Sequence, residues 1–85
     1  MNKKFLKLGK KLKRYRKKTG LTQKQVSKLL GYSSAQNISN LERGVCLIPI
    51  KKINGMSEIY KVTSVSLLKD CIYAKEIFLK NKIKL

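Results

Sequence analysis

Between Ser33 and Gly44 the chain carries side-chain amides where so basic a protein would be expected to carry lysines. Gln36, Asn40 and Arg43 recur at helical spacing and share one face, with Asn37 and Ser39 on its flanks. A primary amide donates and accepts at once, so glutamine or asparagine can make two hydrogen bonds to the edge of a single base, adenine above all. A plain solvated helix accounts for the polarity of this face but not for its lack of lysine. The opposite face offers Ala35, Ile38, Leu41 and, by angle, Glu42, which is the side that would be buried.

Whatever these amides meet, the rest of the chain favours a polyanion. It has 21 Lys and Arg against 4 Asp and Glu, a formal net charge of +17 over 85 residues. Such a chain repels itself until an anion neutralises it. Nucleic acid is the first candidate, an anionic membrane surface the second, and a solvated basic face with no partner the third. With 42% hydrophobic residues the sequence reads as folded, and its length allows one domain with a modest core.

Other chemistries lack their groups. There is no histidine, and the only acids are Glu42, Glu58, Asp70 and Glu76, with no phosphate loop or nucleophile elbow, so catalysis is not expected. Cys46 and Cys71 stand far apart and match no zinc spacing; no metal, cofactor or small-molecule substrate is implied. They read as reduced core residues of a cytoplasmic protein rather than as a disulfide. From Met1 to Leu12 lysines interrupt every apolar stretch, so neither a signal peptide nor a membrane span is expected.

The elements that must position the amide face are helices. Phe5, Leu8, Leu12 and Tyr15 predict a first helix from about Phe5 to Lys18, ended by Gly20, with Arg16 inside its apolar stripe. Thr22 and Gln25 have capping-box spacing and open a short second helix with Val26, Leu29 and Leu30 inward, followed by a reversal at Gly31. Ser33 and Gln36 repeat that spacing and predict the start of the third helix, which runs to about Arg43. Pro49 suits the start of a fourth helix, Ile50 to about Tyr60, with Ile53, Met56 and Ile59 or Tyr60 inward and Gly55 weakening it. Thr63 or Ser64 caps a fifth, from Val65 towards Asn81. Its expected inner stripe is Leu67, Leu68, Cys71, Ile72, Phe78 and Leu79, interrupted by Lys75. Tyr73 and Ile77 form a second apolar strip, a candidate contact for another subunit.

From Leu8 to about Leu68 the pattern resembles the Xre family, the phage repressor and Cro-like helix-turn-helix proteins. The resemblance rests on Leu8-Gly9, Leu12 and Arg16, on Gly20-Leu21-Thr22-Gln23 and Val26, and most strongly on Ile38-Ser39-Asn40-Leu41-Glu42-Arg43-Gly44, followed by a proline and two apolar helices. It implies an all-α, five-helix lambda-repressor-like domain spanning residues 1–85, with a core over 5–68 and a C-terminal helix extension over 69–85. It also implies that the third helix reads the major groove of double-stranded DNA, and that the protein acts as a cytoplasmic, nucleoid-associated regulator of prokaryotic or phage type. Members usually work as homodimers on paired half-sites.

Carried over by position, the resemblance puts base reading on Ala35, Gln36, Asn37 and Asn40, and a phosphate-holding or supporting role on Gln23. It pairs Arg16 with Glu42 as a structural lock. Phosphate contacts are expected from Lys10, Lys11, Arg14, Ser39, Arg43, Lys51 and Lys52, which flank the motif, and dimer contacts from Tyr73, Ile77 and Phe78. Three features depart from the pattern. One additional residue between Gly31 and Ile38 leaves two registers open for Ser34, Ala35 and Gln36; Ser27 replaces the usual alanine; and the last helix continues past Leu68. With no separate ligand domain and no acidic activation surface in the sequence, repression is the expected regulatory outcome. The rivals are an antitoxin-like or adaptor protein whose C-terminal helix grips another protein, and a membrane-bound protein using its Lys-rich first helix.

Overall fold

Local signals decide where each helix starts and stops. A computed structural model describes residues 5–83; the remainder of the 1–85 extent expected for the domain lies outside the described residues. The described residues form five helices and no strand: α1 Leu6–Thr19, α2 Gln23–Leu29, α3 Gln36–Glu42, α4 Ile50–Tyr60 and α5 Ser64–Ile83. At the head of α2 the capping box closes both ways. The Gln25 amide N–H donates to Thr22 Oγ1 at 3.1 Å and the Thr22 N–H donates to Gln25 Oε1 at 2.8 Å. The end of α3 is finished by a paired closure, with Val45 N–H donating to the Asn40 carbonyl and Gly44 N–H to that of Leu41, both at 3.1 Å.

The third helix does not begin as expected at Ser33. Ala35 is its first flanking residue, and no side chain caps the helix in the capping-box manner. Ser33 and Ser34 are taken up in the turn, where Ser34 Oγ accepts the Gln36 amide at 3.3 Å. The Gln36 side chain reaches forward to Asn40 rather than back to a cap. The physical reason is the turn itself: Gly31 adopts φ +81° and reverses the chain, and residues as far as Ala35 are taken up before regular helical bonding resumes at Gln36.

The core is built from Leu8 and Leu12 of α1, Val26 of α2 and Leu30 just past its end, Ile38 and Leu41 of α3, Ile48, then Ile53, Met56 and Tyr60 of α4, and Leu67 and Cys71 of α5. Two expected inner stripes need correction. Leu29 is 64% exposed, and Ser27 takes the inward position in its place. Val26, Ser27 and Leu30 cluster on one side of the helix, whereas Leu29 lies roughly 110° from their centre. On α5 the buried column is Leu67 and Cys71, continued by Ala74, while Leu68, Ile72 and Leu79 are exposed. The sequence presents two adjacent apolar columns there, and only one of them meets α1 and α4. Of the two cysteines, both free, Cys71 is in the core and Cys46 is exposed rather than buried.

α1 lies against α3 closely enough that a β-carbon on Gly9 would stand 2.5 Å from the Glu42 carbonyl oxygen and 2.7 Å from that of Leu41. Only glycine permits that approach. α2 packs on the other side of α3, and α4 and α5 close the base of the bundle against α1. α3 is thereby held from beneath with one face left outward.

Candidate nucleic-acid interface

A polar latch holds the ends of three elements together. Arg16 donates from Nε to Glu42 Oε2 at 2.7 Å and from Nη2 to Oε1 at 3.1 Å, while its Nη1 donates to the Leu21 carbonyl at 3.0 Å. Gln23, first residue of α2, adds its Nε2 to Glu42 Oε1 at 3.0 Å. The Arg16 and Glu42 side chains are 12% and 3% exposed. The hydrogen bond to Glu42 holds the Arg16 guanidinium above its ordinary pKa, against the opposing effect of burial. Both ions lose water on burial, so the pair adds little net stability; its two-point geometry fixes the angle between α1 and α3.

The outward side of α3 carries the amides. Gln36 and Asn37 are exposed; Ala35, Ser39, Asn40 and Arg43 are half-buried. Gln36 Nε2 donates to Asn40 Oδ1 at 2.9 Å, and Arg43 Nη2 donates to the same oxygen. With its oxygen accepting twice, Asn40 presents its NH2 edge as the group left to donate. A two-bond reading of adenine by Asn40 therefore requires its oxygen to leave Gln36 and Arg43.

The flanking cations separate into two sets. Lys10, Arg14 and Lys51 are exposed. Lys11 instead donates to Asp70 Oδ1 at 2.9 Å, joining α1 to α5, and that bond raises its pKa. Lys52 donates to the Leu30 carbonyl at 2.6 Å, at the end of α2, with its Nζ 5.0 Å from the Tyr32 ring centre. Gln23 is also occupied within the protein, by Glu42. The candidate dimer contacts are likewise divided: Tyr73 is 62% and Ile77 36% exposed, whereas the half-buried Phe78 ring sits edge-on to Phe5 at 5.7 Å between centroids.

One group was not singled out from sequence. Lys24 and Lys28 project from α2 beside the turn, over a cleft floored by Ser27. Their four-residue spacing was the available signal, but a lysine pair on a short helix carries little weight until the turn beside it is known.

A model of the helix-turn-helix domain matches residues 7–68, which is most of the chain. The protein therefore belongs to the helix-turn-helix family, in its Xre and Cro-like branch. No curated protein matches the chain. The family and the all-helical fold together define a DNA-binding domain. Among the described residues no helix is long and apolar enough to cross a membrane.

Proposed function

We propose that this protein is a sequence-specific, double-stranded DNA-binding transcriptional regulator of the cytoplasm, a repressor that binds a palindromic operator as a homodimer. The observation that carries the reading is the outward amide face of α3, Gln36, Asn37 and Asn40, mounted on a latched helix in a chain of charge +17. Gln36, Asn37 and Asn40 discriminate bases, Ala35 meets the groove at the start of the helix, and Lys10, Arg14, Ser39, Arg43 and Lys51 hold the backbone. Repression follows from occupancy of a promoter. One domain, running from residue 1 to 85, supplies all of this.

Dimer formation draws support from α5, where Tyr73 and Ile77 are joined by Val65, Leu68 and Ile72 as exposed apolar residues. The same surface favours the second reading, an antitoxin-like or adaptor protein gripping a different partner. Replacing Ile77 by aspartate separates them. Loss of two-half-site binding supports the homodimer, and loss of a co-purifying unrelated protein with DNA binding intact supports the adaptor.

Selection of bound sequences from random duplexes at near-physiological salt tests the main reading. A palindromic motif is expected, with half-sites about one helical turn, roughly 34 Å, apart. Asn40→Ala is expected to reduce binding to the selected site by about 1–3 kcal/mol and binding to random duplex by far less. Equal losses on both DNAs would remove Asn40 from base reading, and no enrichment of any sequence would overturn specific regulation.

A further inference from the structure

We propose that the cleft between α2 and the turn leading to α3 is a phosphate-binding site, and that it seats one DNA backbone phosphate beside the α3 contact. That the phosphate belongs to DNA rests on the DNA-binding reading above. The cleft has a volume of about 560 Å³; Lys24, Ser27, Lys28, Tyr32, Ser33 and Ser34 give it its polar lining, and Ala35 closes it on the α3 side.

Its chemistry is one-sided. Two cations and four hydroxyls line it, with no carboxylate among them. Lys24 and Lys28 stand one turn apart on α2, and among the described residues neither has an ion-pair partner. Like charges at that spacing repel, a cost that an anion between them removes. Two of the hydroxyls have a proton not yet given to a partner. Ser34 Oγ already accepts the Gln36 amide, which leaves its own proton for another acceptor. Ser27, 1% exposed at the floor, has a hydroxyl without any hydrogen-bond partner. Desolvating such a group costs free energy that only a nearby polar ligand or a small opening of the cleft recovers.

A ligand suited to these groups has several acceptor oxygens, negative charge and no donors, which describes a phosphodiester or an inorganic phosphate. The long turn makes the cleft: Ser33 and Ser34, which a helix begun at Ser33 would have carried into α3, instead form its wall. The site adjoins the α3 contact face at Ala35 and includes none of Lys10, Arg14 and Lys51.

The test uses the full chain and a Lys24→Gln/Lys28→Gln double variant, with Lys80→Gln/Lys82→Gln as a control pair of equal charge at the far end of α5. Binding to the selected duplex and to a random duplex is measured across salt concentrations, and inorganic phosphate is titrated into the free protein while backbone amides are followed by NMR. If one phosphate is clamped by both lysines, the slope of log K against log salt falls by about one unit in the double variant. That loss should be the same on both duplexes, larger than in the control, and leave the selected sequence unchanged. This outcome identifies a DNA phosphate. Amide shifts at Lys24, Lys28 and Ser34 caused by inorganic phosphate, absent in the double variant and without any change of slope, identify a free phosphate as the source. A slope loss no larger than the control's, together with no phosphate-dependent shift, overturns the site. A wild-type chain that binds neither duplex refutes the DNA reading instead, and the phosphate titration still decides the cleft.

Discussion

Gln23 and Arg16 share one oxygen of Glu42: Gln23 Nε2 and Arg16 Nη2 stand 3.0 and 3.1 Å from Oε1. The entry to α2 and the end of α1 thus converge on the last residue of α3. A side chain anchored in this way serves the placement of α3 first. Any direct phosphate contact from Gln23 must be made with the same amide or by releasing it.

Removing Glu42 tests the latch. Glu42→Ala strands a guanidinium that is largely buried, and unfolding by urea should show a loss of about 3 kcal/mol. An Arg16→Met/Glu42→Leu double variant should recover most of that stability, because two apolar side chains need no desolvation. If the double variant is also as selective for the operator as wild type, the pair has no positioning role in recognition.

Gly9→Ala tests the close approach of α1 and α3. The added methyl would stand 2.5–2.8 Å from backbone atoms of Leu41 and Glu42, which cannot move without displacing α3. A loss of about 1–3 kcal/mol is expected, with weaker operator binding than the stability change alone explains. Wild-type melting temperature and affinity together would show that the helices separate at no cost.

The two sets of flanking lysines should behave differently. Lys51→Ala, at an exposed position, is expected to weaken binding to all duplexes alike and lower the salt slope by about one unit. Lys11→Ala should leave the slope within about half a unit of wild type, since Asp70 already engages that ammonium. Matching slopes for the two variants would contradict this division.

Alkaline stability should report on Tyr60. Its hydroxyl is buried without a hydrogen-bond partner, and burial raises its pKa above the ordinary 10.0. The unfolded chain ionises first, so the stability tied to the neutral phenol is complete below pH 10.0 and is lost as pH rises above it. The Cys71 thiol, also raised by burial, adds the same sign of effect from its ordinary 9.0 upward. Tyr60→Phe should melt higher than wild type at neutral pH, by about 1 kcal/mol of stability, and lose less between pH 9.5 and about 11. Parallel pH profiles of melting temperature for the two proteins would reject the assignment.

Much of this arrangement follows from short-range patterns. The capping box at Thr22, the helix stop at Gly20 and the inward faces of α1 and α4 depend on residues within a turn of one another, so spacing and residue type suffice to read them. The outward direction of Gln36 and Asn37 was legible for the same reason, because Ile38 and Leu41 occupy the reverse side. Other features depend on what lies across a contact. Leu68 and Ile72 are as apolar as Leu67 and Cys71, and nothing within α5 chooses between the columns; the rotation imposed by α1 and α4 does.

The engagement of Lys11 with Asp70, of Lys52 with the end of α2, and of Asn40 with two donors also arises between residues far apart in sequence or crowded on one surface. So does the cleft under Lys24 and Lys28, whose wall is the turn between Leu29 and Gln36. Periodicity and capping are local and additive, and the chain alone therefore specified five helices and the polar side of the third. Which lysines stay free for an anion was settled only when the helices met, since a charge is satisfied by its nearest neighbour in space.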